Sequence, residues 1–135
     1  MTTDSMSIKV SRVDGLKLKA EVDGFTIIIG QIDETKPPEG PSPGRLMVAS
    51  LGLCAELYAA FYLKKHNIPD EGLIVEITAI NERTPSRAIS FNVKVSIKAK
   101  LTEQQKIGFL DNVKHCYVAN TMKANPTINY YLEVL

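Results

Sequence analysis

Three short segments near the N-terminus alternate apolar and polar residues with a period of two. They lie within residues 7–30 and are separated by Asp14-Gly15 and Asp23-Gly24. Asp-Gly between such runs is a strong hairpin signal, because both turn residues must tolerate a positive φ. In the middle segment, lysine and glutamate alternate with apolar residues, which gives one buried and one solvated face. The pattern predicts an antiparallel three-strand meander over residues 7–30.

A long apolar helix is predicted after the meander. The intervening residues 31–42 are rich in proline and polar side chains and are predicted to be a loop. Ser42 can cap the first free backbone N–H groups, and Pro43 suits the first helical position. Asn67 tolerates a left-handed exit and Pro69 prevents continuation. The central helix is therefore predicted over residues 43–66.

The second half of the chain alternates strands and helices. Strands are predicted at 73–80 and 88–101, with a turn around Pro85 between them. Thr102 and Gln105 have capping-box spacing, which predicts a helix over 103–115. A short helix over 117–123 and a last strand over 127–134 follow. Because strands and helices are segregated along the chain, the order favours an α+β fold with antiparallel sheets.

Composition narrows the class of protein. A chain of 135 residues with 44% hydrophobic and 23% charged residues is typical of one globular domain, expected here over residues 1–135. The formal net charge is +1 and no basic block is present, so no nucleic-acid partner is expected. Residues 1–6 are polar and lack the apolar segment of an export signal, so the cytoplasm is the expected location.

The apolar run over residues 46–63 raises the alternative of a membrane-anchored protein, because its length approaches that of a membrane span. Gly52 and Glu56 interrupt the run, and β-rich sequence flanks it. A helix that is apolar on most of its surface is equally expected inside a domain or between two subunits. The pattern therefore favours a soluble protein without a membrane partner.

The chain has only two cysteines, Cys54 and Cys116, which are 62 positions apart. There is no CxxC spacing and no second His or Cys close to Cys54, which argues against a metal site. Helical spacing places Cys54 on an apolar face, where a cysteine is commonly a small core residue. The pair is therefore either two inert core thiols or two thiols that do redox chemistry together. The rest of the predicted face comprises Met47, Ser50, Leu51, Leu57, Tyr58 and Phe61.

Redox chemistry needs a charge that stabilises a thiolate, and a guanidinium suits this role because it remains protonated. Arg12, near the first hairpin, could fold over the helix. Arg45 lies on the same helix more than two turns before Cys54, which disfavours a direct contact within one chain. His115 is a possible base beside Cys116, but adjacent residues on a helix point in different directions.

Two segments together resemble the OsmC/Ohr family of osmotically inducible and organic hydroperoxide resistance proteins. The first is Gly40-Pro41-Ser42-Pro43 leading into the apolar helix that carries Cys54; the second is Cys116, a short helical turn and Asn125-Pro126-Thr127. The order of elements agrees over almost the whole chain. The resemblance implies antiparallel sheets packed around a long central helix, in an intertwined homodimer with active sites at the subunit boundary.

The resemblance also implies thiol-dependent reduction of organic hydroperoxides. Cys54 would be the peroxidatic thiol, which becomes a sulfenic acid; Cys116 would resolve it, and Arg12 is the candidate for the family's arginine. An external dithiol would reopen the disulfide, and no metal or organic cofactor is required. Pocket walls that favour alkyl or lipid hydroperoxides over hydrogen peroxide are expected from Met47, Leu51, Leu57 and Phe61.

Two positions depart from the family pattern. Gly44 stands where family peroxidases usually carry a glutamate that orients the arginine, and Tyr117 stands where proline normally follows the second cysteine. The alternative function is therefore a non-catalytic or small-ligand-binding OsmC-like protein whose cysteines only pack.

Overall fold

The computed structural model of the chain describes residues 3–135, and this part contains five strands and three helices. They form an α+β fold with two antiparallel sheets, as the element order predicts. By their contacts, residues up to Met47 form one compact unit and Val48–Leu135 form a second. In chain order the elements are β1 (Lys9–Asp14), β2 (Lys17–Val22), β3 (Phe25–Ile29), α1 (Pro43–Lys65), β4 (Ile74–Arg83), β5 (Ser86–Ser96), α2 (Glu103–Lys114) and α3 (Tyr117–Lys123).

The first unit contains the meander β1-β2-β3. β2 is its central strand: Leu18 is aligned with Arg12 on one side and with Ile29 on the other. The turn between β2 and β3 consists of Asp23 and Gly24, with φ values of 49° and 82°. These are the left-handed conformations that Asp-Gly accepts at low cost, so the turn chemistry read from the sequence sets the register.

The second unit contains the hairpin β4–β5, and here the predicted strand boundaries are wrong. The first strand was predicted to end at residue 80 but continues to Arg83, and the second was predicted to begin at residue 88 but begins at Ser86. The turn is therefore only Thr84-Pro85. The predicted strand 88–101 also ends early, at Ser96. Ser96 pairs with the first residue of β4, and the chain beyond it has no further strand residue to pair with.

α1 packs in the second unit through small residues spaced four apart. Its buried positions are Leu51, Ala55, Ala59 and Leu63. The last three form a core with Phe109 and Val113 of α2. The alanines suit this face because neighbouring elements approach α1 closely. A Cβ added to Gly52 would lie 3.1 Å from Ile77 Cδ1 on β4, and one added to Gly108 on α2 would lie 2.8 Å from the Tyr62 hydroxyl.

The buried face of α1 therefore differs from the predicted one. Met47, Leu57 and Phe61 were expected on the inner face, but their exposed fractions are 43%, 50% and 54%. The prediction rested on the helical spacing of residues around Cys54, whereas close packing against β4 and α2 selects positions by size. Leu51 alone of the predicted large apolar residues is fully part of the buried face.

The predicted last strand over 127–134 is not formed. Residues 125–135 have no regular secondary structure, and their large apolar side chains are exposed, with Ile128 at 70% and Leu132 at 88%. A strand exists only where a second strand supplies hydrogen-bond partners, and no segment among residues 3–135 pairs with this one.

Candidate functional site

The two cysteines lie on different helices of the second unit. Cys54 is in the middle of α1 and is half-buried. Cys116 lies between α2 and α3 and is 0% exposed. It is the N-cap of α3, where its Sγ accepts a hydrogen bond from the backbone N–H of Ala119 at 3.5 Å. Cys116 is therefore held by the local geometry of a helix start, and Cys54 by the regular geometry of a long helix.

Contacts between α1 and α2 fix the position of Cys116 relative to α1. Asn112 Nδ2 donates a hydrogen bond of 2.7 Å to the backbone oxygen of Tyr58. One turn further along α1, the ring of Tyr62 meets the ring of Phe109 edge-on, with centroids 5.6 Å apart. Because Asn112 is four residues before Cys116, the tie to Tyr58 lies next to the thiol that it positions.

The structure brings the two thiols together. Both cysteines are free, and they interact through a side-chain hydrogen bond. Burial raises the pKa of Cys116, the N–H of Ala119 acts in the opposite direction, and the hydrogen bond to Cys54 and repulsion from its charge raise the pKa again. The net shift is upward, so Cys116 is held as a protonated thiol that donates to the Cys54 sulfur. The two thiols are therefore neighbours in space, which is the arrangement that disulfide formation requires.

The other polar residues predicted for the site are Arg12 and His115. Arg12 is exposed on β1, in the first compact unit, whereas both cysteines belong to the second, so its role stays a prediction. His115 is C-cap of α2, and its exposed ring lies with Nδ1 2.7 Å from the backbone oxygen of Asp111. His115 therefore interacts with Asp111, which gives no support to a role as the base for Cys116.

An apolar groove of about 330 Å³ opens beside Cys116, which is at the lower end of the usual size of ligand pockets. Of the four predicted pocket residues, Leu51 lines it, but Met47, Leu57 and Phe61 do not. Phe61 instead borders a more polar pocket of about 220 Å³. The groove's walls come from α1, β5 and the α2–α3 region and include Leu51, Ala55, Phe91, Val93, Cys116 and Met122.

Sequence reasoning missed the contribution of β5 to this groove. Phe91, Val93 and Val95 lie on one face of β5 because alternate residues share a face. That alternation was visible in the sequence; what it could not show is that this face meets the segment around Cys116. Lys114 and Lys123 also border the groove. Within residues 3–135 no group of three or more His, Cys, Asp or Glu side chains is arranged to hold a metal ion.

Comparisons with known proteins agree with this architecture. Among solved structures, an OsmC-like protein from Mycoplasma pneumoniae is 19% identical with a TM-score of 0.74, covering 92% of this chain and 91% of its own. A putative osmotic stress induced and detoxification response protein from Psychrobacter arcticus is 20% identical with a TM-score of 0.69, covering 90% and 91%. The organic hydroperoxide resistance protein OhrB of Bacillus subtilis is 13% identical with a TM-score of 0.53, covering 89% and 93%.

These TM-scores show a shared fold. No curated protein matches the sequence significantly. The sequence profile of the family described as OsmC-like protein matches residues 35–130, which is more than half of the chain and includes both cysteines. The chain therefore belongs to the OsmC-like protein family.

Proposed function

We propose that this protein is a thiol-dependent peroxidase that reduces organic hydroperoxides. The observation that carries the proposal is the contact between Cys54 and Cys116, two free thiols that come from distant positions in the sequence. Proteins of similar fold include organic hydroperoxide resistance proteins from Bacillus subtilis and Legionella pneumophila. An apolar groove lined by Cys116, the thiol in contact with Cys54, suits an organic substrate better than hydrogen peroxide.

The reaction divides between the two sulfurs. The Cys54 thiolate attacks one peroxide oxygen, the O–O bond breaks, and the alkoxide leaves as the alcohol after taking a proton; Cys54 becomes a sulfenic acid. Cys116 then attacks the sulfenic sulfur, a disulfide forms, and the oxygen leaves as water. An external dithiol reduces the disulfide and restores both thiols. The substrate oxygen is thus reduced by the two electrons that the thiol pair supplies.

The order of the two roles follows from burial. Cys54 is half-buried, so a peroxide can approach its sulfur, whereas Cys116 is fully buried. The raised pKa of Cys116 keeps it protonated in the resting pair, which suits a thiol that acts second. In this proposal Arg12 supplies the positive charge that stabilises the Cys54 thiolate and the substrate oxygens.

A second candidate function is ligand binding by a non-catalytic family member in which both cysteines only pack. Two observations favour it: Cys116 is completely buried, and Gly44 places no side chain where the family resemblance expects a glutamate. In that case the thiols would survive exposure to peroxide without joining.

Mass spectrometry separates the two functions. Reduced protein is treated with equimolar cumene hydroperoxide, and its peptides are mapped. We expect a bridge between Cys54 and Cys116. In Cys116→Ser, Cys54 should gain one oxygen and the first turnover should persist, whereas Cys54→Ser should not consume peroxide. Survival of both free thiols in the wild-type protein would reject the peroxidase proposal.

We also propose that the working form is a cytoplasmic homodimer. α1 is long and apolar enough to cross a membrane, yet only 22% of that stretch is buried, and residues 128–135 expose a run of large apolar side chains. Covering both surfaces with a second copy removes them from water, which is favourable in proportion to their area. Sedimentation without detergent should give a dimer, and deletion of residues 125–135 should weaken it. A monodisperse monomer, or a protein that needs detergent, would contradict this arrangement.

A further inference from the structure

The groove beside Cys116 has a charged border as well as an apolar interior. Lys114, at the end of α2, and Lys123, at the end of α3, both line it. The other lining residues are apolar, including Leu110 and Met122. Among residues 3–135, no carboxylate lines the groove or forms an ion pair with either lysine. The groove therefore combines an apolar floor with two uncompensated positive charges.

The position of one charge is fixed by the fold. Lys123 Nζ donates a hydrogen bond of 3.0 Å to the backbone oxygen of Lys114. This bond brings the end of α3 back to the end of α2 and holds the Lys123 ammonium close to the Lys114 backbone. A cation that is already ordered loses less side-chain freedom when it binds an anion, which favours binding.

We propose that this groove binds an amphipathic monocarboxylate, with its alkyl chain on the apolar walls and its carboxylate between Lys114 and Lys123. The argument for this occupant is charge complementarity, since a neutral alkyl chain would leave both ammonium groups without an anionic partner. A volume of about 330 Å³ has room for about ten groups of the size of a water molecule or a methylene. The alkyl chain of a medium-chain acid such as decanoate matches that number of groups.

Binding at this groove goes beyond the proposed peroxidase function, because it requires neither turnover nor the redox state of the thiols. If the protein is a peroxidase, the same two lysines would select hydroperoxides that carry a carboxylate over neutral ones. If it is not, the groove still binds the acid.

The test measures decanoate binding by titration calorimetry on the full reduced chain, with 1-decanol as the neutral ligand of equal length. We expect decanoate to bind about tenfold more tightly, since two exposed ion pairs contribute up to about 1 kcal/mol each. Lys114→Gln and Lys123→Gln should each weaken decanoate binding by about threefold and leave decanol binding unchanged. The same affinity for decanoate is expected in Cys54→Ser, which separates this test from that of the peroxidase.

Two matched variants control for the loss of a lysine. Lys94 is exposed on β5 between Val93 and Val95, so its side chain lies on the face of the strand opposite the groove. Lys94→Gln should bind decanoate like the wild type. The doubly substituted Lys114→Arg, Lys123→Arg protein keeps both charges and should retain the preference for decanoate.

The binding site can be located with methionine methyl groups. Of the three methionines within residues 3–135, only Met122 lines the groove, so its methyl signal should shift on titration with decanoate while those of Met6 and Met47 stay in place. Equal affinity for decanoate and decanol, an unmoved Met122 signal, or no binding would overturn the proposal. If decanoate binds only after residues 125–135 are deleted, the groove is occupied by the C-terminal segment of a second copy and the proposal is likewise wrong.

Discussion

Joining Cys54 and Cys116 should stabilise the protein substantially. The two residues are 62 positions apart, and a cross-link that closes a loop of this length removes chain entropy from the unfolded state worth about 4 kcal/mol at room temperature. The folded state loses little in return, because the two thiols already interact. The main cost is at α3, where Cys116 Sγ caps the N–H of Ala119; losing a cap costs up to about 1 kcal/mol. The net expected gain in the free energy of unfolding is therefore about 3 kcal/mol.

Urea denaturation followed by far-UV circular dichroism measures this gain. At a typical dependence of about 2 kcal/mol per molar urea, the oxidised protein should unfold at a midpoint about 1.5 M higher than the reduced protein. Both samples are compared at one protein concentration, since any oligomer makes stability depend on concentration. Cys54→Ser, treated with the same oxidant, should show no shift.

An oxidised protein that unfolds at the same or a lower urea concentration would refute the reasoning. Such a result, with the bridge verified by peptide mapping, would mean that closing the bond distorts α1 or α3 by more than the entropy gained. The thiols would then not be placed for a disulfide, and the resolving role of Cys116 would fail with them.

Three further predictions concern the residues around the thiols. Burial raises the pKa of Cys116 in the folded state. The contribution of Cys116 to stability is therefore complete below the pKa of the unfolded thiol and is lost as pH rises through the higher folded value. The free energy of unfolding, measured across alkaline pH, should show this loss in the wild type and not in Cys116→Ala. Asn112→Ala removes the hydrogen bond to the Tyr58 backbone oxygen; it should lower the free energy of unfolding by about 1 kcal/mol and slow formation of the disulfide after peroxide is added. Gln104 is exposed on the same helix, so Gln104→Ala should have neither effect. An unchanged rate of disulfide formation in Asn112→Ala would show that Asn112 does not position Cys116. At Gly44 an added Cβ meets no atom within 4 Å, so Gly44→Glu and Gly44→Ala should each stabilise α1 by up to about 1 kcal/mol. If the missing carboxylate limits activity, only Gly44→Glu should raise kcat/KM for cumene hydroperoxide.

Local signals in the sequence account for the element order. The Asp23-Gly24 turn, the Ser42-Pro43 start of α1 and the Thr102 and Gln105 capping box are read from a few neighbouring residues, and each forms as predicted. The first hairpin turns one residue later than predicted, at Gly15 and Leu16, because Asp14 still belongs to β1 and pairs with Lys17. Hairpin and helix-start chemistry depends on residues within one turn of each other, so no distant part of the chain is needed to interpret it.

Side-chain placement was less predictable. Helical spacing around Cys54 indicated Met47, Leu57 and Phe61 as the inner face of α1, but the structure buries the alanine face because β4 and α2 approach within contact of Gly52 and the Tyr62 ring. Similarly, residues 127–134 have the alternation of a strand, but alternation describes a strand's faces and cannot supply the partner that its backbone requires.

Neighbouring residues along the chain determined the order of elements from β1 to α3 and the hairpin turns of the meander. The sequence also showed that the chain has only two cysteines. Packing between α1, β5 and the α2–α3 region decided the meeting of Cys54 with Cys116. The same packing formed the groove beside Cys116, with its β5 wall and the two lysines on its border. The difference has a physical cause: turns and caps satisfy backbone hydrogen bonds locally, whereas a site depends on which faces become buried together, and burial is a property of the whole packed unit.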